Sequence, residues 1–187
     1  LSPRRAASKG VFLPPPPPPV WPWRFPAEPG SEGFEGITQG QSPSSYQVEE
    51  LHLAAMHFAS FVLESPTFFI CSDWATLPAT QQAACGWTSL ERFAQRAYRR
   101  PLRPDEQERL AAFWETNITA GPRDMAVALT AAGILQAPPV HFRVSSDANT
   151  SAPSRWELAT RLSYFLWDSM PDEALFKAAK TGQLADR

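Results

Sequence analysis

Proline divides this chain, and most of the pieces it leaves after residue 43 have the length and pattern of a helix. A proline ring fixes φ, removes a backbone donor and clashes with the preceding turn, so it opens or follows a helix rather than sitting inside one. Pro66, Pro101, Pro104, Pro122, Pro153 and Pro171 act as such boundaries. Between them apolar residues recur at three- and four-residue steps, and no segment alternates convincingly with period two. The expected fold class is all-α: a helical bundle of about six helices with an extended proline-rich N-terminal arm.

The first helix is expected over 44–63, where Val48, Leu51, Ala55, Met56, Ala59, Val62 and Leu63 share a stripe. The second is expected over 89–99, with Thr88 and Glu91 at capping-box spacing. The third opens at Pro104 with Asp105 and Glu106 in its first turn, although Arg103 is a poor residue for an N-cap. The fourth, over 122–136, is apolar nearly all round and so is expected at the centre, with Gly133 permitting close packing. The fifth starts near Arg155, capped by Ser154; the sixth starts at Pro171, capped by Ser169, and stops near Gly182. Trp156, Ala159, Leu162, Ser163, Leu166 and Trp167 fall close to one face of the fifth, and Leu162, Leu166 and Trp167 are expected to be buried against the fourth around Leu129 and Ile134.

The domain organisation follows: residues 1–43 a proline- and glycine-rich arm, 44–136 a helical domain with an Arg-rich segment, 137–153 a loop, and 154–187 the start of a following helical domain. In the arm, "LPPPPPPVWPWRFP" is polyproline II through its proline run. It reads as a stiff spacer or an arm lying on a neighbouring domain, in preference to a ligand for an aromatic-lined groove; Trp21, Trp23 and Phe25 suggest that it packs somewhere. Both ends read as cut points in a longer protein. Seventeen Lys and Arg against nineteen Asp and Glu give a net charge of −2, which offers no case for nucleic acid or an anionic membrane. No apolar run approaches the roughly 20 residues of a transmembrane helix.

Candidate chemistry is sparse. His52, Met56 and His57 lie on the first helix, and histidine and methionine are haem and soft-metal ligands; a half-buried structural role is the preferred reading. His141 is given no role. Arg96, Arg99, Arg100 and Arg103 form a basic cluster that could clamp a carboxylate such as a haem propionate, or simply pair with Asp105, Glu106 and Glu108. Asp168, Asp172 and Glu173 could mimic an acid–base pair, but helix ends explain them without catalysis. No catalytic residue and no metal site are assigned. Asn117 and Asn149 match glycosylation sequons and are discounted. The two cysteines, Cys71 and Cys85, are free thiols in a cytosolic chain and a possible pair in a secreted one.

Three stretches together resemble a known family. "FAQRAYRRPLRPDEQERL" resembles the arginine-rich segment of the domain of unknown function 1595. "ELATRLSYFLWDSMPDEALFKAAKTGQL" resembles the hallmark of domain of unknown function 1592, which follows it in planctomycete and myxobacterial proteins. "GILQAPPVHFRV" is similar to the stretch joining the two. The resemblance implies a longer, exported protein, periplasmic or at the cell surface, accompanied by c-type cytochrome segments. This chain contains no Cys-x-x-Cys-His, so no cofactor is expected in it, and haem c belongs to the full-length protein. The implied partners are the remaining domains of the same protein and a redox partner. In an exported chain, Cys71 and Cys85 are expected to approach within disulfide range. The expected function is a structural or docking module for a redox domain. The alternatives are a cell-surface scaffold working through the arm, or part of an enzyme whose site other domains complete.

Overall fold

The computed structural model describes residues 44–142 and 153–184. The proline-rich arm, the Asn149 sequon and most of the expected 137–153 loop lie outside the described residues. Among the described residues there are seven α-helices and no strand: α1 (Ser45–Ser60), α2 (Ala79–Ala97), α3 (Pro104–Ala120), α4 (Arg123–Gln136), α5 (Pro138–His141), α6 (Arg155–Trp167) and α7 (Glu173–Lys180). The chain is all-α.

Helix α4 is the hub, as its all-round apolarity requires. It packs on α1, α2 and α3, and Val127, Ala131, Ala132 and Ile134 are fully enclosed. Small residues bring the helices close: at Gly133 a Cβ would sit 2.6 Å from the Phe113 ring of α3, so only glycine admits this contact unchanged. Leu90 and Ala94 of α2, with Leu110 and Trp114 of α3, complete the core. Asn117 Nδ2 donates to Thr130 Oγ1 at 3.1 Å across the α3–α4 seam, so its amide is spent on packing.

Helix α2 begins ten residues before the expected start. The capping-box spacing of Thr88 and Glu91 suggested a start there, yet the helix runs from Ala79, behind Pro78, straight through Gly86 and Thr88. Gly86 is there for packing, because a Cβ would stand 3.0 Å from the Trp114 indole. Thr88 is thus not a cap, and its hydroxyl donates to the Ala84 carbonyl within the helix at 3.0 Å. Ahead of α2, a 3-10 turn (Trp74–Thr76) follows a tight loop. Cys71 and Cys85 form a disulfide across it, with Cα atoms 6.3 Å apart. Trp74 stacks on Phe69 at 4.5 Å and donates its indole N–H to the Gln82 carbonyl, tying the loop to α2.

The expected loop from 137 contains one helical turn, α5, opened by its two prolines. Helix α6 starts at Arg155 with Ser154 as N-cap. Its buried face is Ala159, Thr160 and Ser163, with Trp156 half-buried against Phe176 at 4.9 Å between ring centres. The expectation that Leu166 and Trp167 pack on α4 fails: they are 62% and 45% exposed, beside Phe165 at 86%. The reason is the partner. Helix α6 packs chiefly on α7, not on α4, and its enclosed residues are the small ones Ala159, Thr160 and Ser163, with the Trp156–Phe176 contact beside them. The last turn of α6 overhangs that contact and ends at Asp168, in the left-handed region at φ 49°. The N-cap of α7 is Asp172, whose carboxylate accepts from Leu175 N at 2.8 Å; Ser169 does not fill that role, because α7 begins only after Pro171. At the far end Gly182, at φ 76°, closes α7: Gln183 N bonds Ala178 O and Gly182 N bonds Ala179 O.

Candidate functional site

The densest charged constellation lies where α2 ends and α3 begins, in the run Arg96 to Glu106. Helix α2 closes with the same two-bond motif that closes α7, but with an arginine where glycine is usual. Arg99 sits at φ 60°, with Arg99 N bonding Arg96 O and Arg100 N bonding Gln95 O. A side chain in this region costs roughly 1–2 kcal/mol of backbone energy. The turn gains from the direction it gives that side chain. Arg99 is buried, and its guanidinium donates to the Pro139 and Val140 carbonyls at 2.6 and 3.2 Å. It therefore clamps α5, the turn after α4, to the end of α2.

The next arginine turns the other way. Arg100 binds Glu106 with both nitrogens, at 2.7 and 2.8 Å, in the fork geometry that makes such pairs strong. Glu106 is also buried, and its Oε2 accepts the backbone N–H of Arg103 at 2.9 Å. That bond explains how arginine is tolerated as the N-cap of α3. Arginine offers no acceptor to the helix, but Glu106 supplies the reciprocal half of a capping box, and the Arg103 guanidinium pairs with Glu106 and Asp105. The Arg100 hydrogen bonds, then the Arg103 N–H and the positive charges, hold the Glu106 carboxyl down to about 2, against the opposing effect of burial. Burial and the Glu106 charge push the neighbouring Tyr98 phenol up.

Arg96 differs from the others. It is more exposed, lies over the Phe176 ring at 6.0 Å and stands 3.8 Å from Glu173. These contacts join α2 to α7. Of the candidate anion-binding residues, then, Arg99 and Arg100 are engaged inside the fold, and Arg96 faces α7.

The other candidates are dispersed. His52 Nδ1 is 2.8 Å from Gln136 Oε1, and Met56 is 39% exposed. His57 lies edge-on to Phe61 at 5.0 Å, and His141 Nε2 is 2.7 Å from the Leu135 carbonyl. No group of three or more His, Cys, Asp or Glu side chains is gathered in metal-binding geometry among the described residues. Asp172 serves as a helix cap, and Glu173 is almost wholly exposed. Two features escaped sequence reasoning. One is the left-handed arginine, which no local pattern signals. The other is an uncovered apolar ridge, Phe165, Leu166, Trp167 and Met170, at the α6–α7 joint; the run Phe-Leu-Trp beside a helix end was the available clue.

Two family models match. The one described as PSD5, protein of unknown function (DUF1595), covers residues 85–145, and the one described as PSD4, protein of unknown function (DUF1592), covers residues 154–187. Both domains are present in the chain, in that order. No curated protein and no solved structure matches it.

Proposed function

We propose that this chain is a helical docking module of an exported, c-type-cytochrome-associated bacterial protein, one that holds a redox domain in place rather than performing its reaction. The observation that carries this reading is the ridge Phe165, Leu166, Trp167 and Met170, which lies within the segment matched by the PSD4 family and has no cover among the described residues. Adjacent large apolar groups left open to water mark an interaction surface. The charged residues of the α2–α3 joint, Arg99, Arg100 and Glu106, are engaged in structure, as expected of a scaffold. The Cys71–Cys85 disulfide supports an oxidising compartment, periplasm or cell surface.

The test has two steps. The reading frame that encodes this chain should also encode a Cys-x-x-Cys-His segment. That cytochrome domain, produced separately with its haem, should bind the chain in calorimetric titration. Phe165→Asp combined with Trp167→Asp should weaken binding at least tenfold and leave the thermal midpoint of the chain unchanged. The absence of a haem motif from the frame, or equal binding by the double variant, would overturn the reading.

A further inference from the structure

A groove of about 570 Å³ runs between α2 and α3, on residues that the arginine joint and the ridge do not use. Its floor is the Trp114 indole, which can lie across α2 because residue 86 is glycine. Ala83, Ala84 and Ala111 keep the walls low, and Pro104 and Trp87 flank it. Trp87 is half-buried, and its indole N–H has no hydrogen-bond partner among the described residues. On one rim stand Glu108 and Glu115, both exposed and neither ion-paired among the described residues. No lysine or arginine lines the groove.

We propose that this groove docks an extended, proline-rich segment flanked by arginine or lysine, supplied by a second polypeptide. Three features select that chemistry. A shallow aromatic and alanine surface suits proline rings, which lose little conformational entropy when they bind. An open indole N–H seeks a free carbonyl. A polyproline II strand presents its carbonyls outward with no internal bonds, whereas a helical partner has most of its own already bonded. The acidic rim calls for positive charge. Glu108 and Glu115 are two helical turns apart, about 10 Å at 1.5 Å per residue, a span that three or four polyproline II residues cover at about 3.1 Å each. A basic residue on each side of a short proline core therefore meets both carboxylates. This inference does not depend on the redox-docking reading, since none of its residues belongs to the ridge.

The experiment is a titration of the full chain, read by calorimetry and by tryptophan fluorescence. The probe is a synthetic peptide of three prolines with an arginine at each end, which sets the arginines four residues, about 12 Å, apart. Saturable binding is expected, at least tenfold weaker when glutamate replaces the arginines. Glu108→Lys with Glu115→Lys, at exposed sites that leave the fold intact, should weaken the arginine peptide at least tenfold and reverse the charge preference. Trp87→Phe keeps an aromatic face but removes the N–H and one ring, and should weaken binding severalfold. No saturable binding, indifference to flanking charge, or tighter binding of a basic amphipathic helical peptide would overturn the proposal.

Discussion

Glu106 shows how much one side chain organises here. It neutralises Arg100, caps the backbone of Arg103 and starts α3, all from a buried position. Its carboxyl is held at about 2 against an ordinary value near 4.5, so the folded state prefers the charged form. A depressed acid stabilises the fold above its unfolded pKa, and that stabilisation is lost as pH falls through the folded value. Glu106→Gln should therefore cost on the order of 2–3 kcal/mol at neutral pH. The stabilities of wild type and variant should converge between about pH 4.5 and 2. Urea denaturation at stepped pH reads this directly, and a constant gap across the window would remove the electrostatic account. Arg99 allows a second separation at the same scale. Arg99→Ala and Arg99→Gly both lose the bonds to the Pro139 and Val140 carbonyls, but only glycine relieves the left-handed backbone. The glycine variant should be the more stable of the two by about 1 kcal/mol. Equal stabilities would mean that the turn stores no strain.

At the scale of elements, the sequence was most legible where proline and caps fence a strong stripe. Helices α3 and α4 fall where Pro104, Pro122 and the apolar periodicity put them, and α6 starts at the expected Ser154 cap. It was least legible where one residue type serves two purposes. Thr88 reads as a cap but lies inside the helix, its hydroxyl on the Ala84 carbonyl, so α2 was read too short. Leu166 and Trp167 read as core because helical spacing identifies a face without saying what stands opposite it. The arginine run was recognisable as a cluster, yet the division of its members among carbonyls, carboxylate and ring depends on a left-handed turn that spacing does not encode. The disulfide adds a covalent tie between the α1–α2 connection and α2 to the Trp74 and Arg92 hydrogen bonds. Its half-cystines are 14 positions apart, so the chain-entropy account gives roughly 3 kcal/mol for its loop. Cys71→Ser with Cys85→Ser should lower stability by about that amount in urea denaturation. The same loss should appear in the wild type on reduction, and a near-neutral double variant would place the loop's stability in the Phe69–Trp74 stack instead.

For the whole molecule the consequence is unequal stability. Helices α1 to α4 share one enclosed core, in which Leu90, Val127 and Ala131 have no exposure. Helices α6 and α7 lean on each other, and among the described residues they are tied to α2 by the Arg96 contacts with Phe176 and Glu173. An exposed ion pair of this kind contributes little, typically below about 1 kcal/mol. A two-helix unit this short has little local reserve, because helical stability in proteins comes chiefly from packing. The α6–α7 pair should therefore open without unfolding the bundle. Native-state hydrogen exchange should show amides around Ser163 and Ala179 exchanging at least tenfold faster than those around Val127 and Ala131, a difference of about 1.4 kcal/mol or more. The mutational counterpart is asymmetric. Leu90→Ala should cost on the order of 2–5 kcal/mol, whereas Leu166→Ala, on the open ridge, should stay within about 0.5 kcal/mol. If a partner domain covers the ridge, its addition should slow exchange in α6 and α7 selectively and make Leu166→Ala costly only in the complex. Uniform protection across all the helices of the free chain would mean instead that α6 and α7 belong to the same cooperative unit as α4, and that the ridge is braced from within.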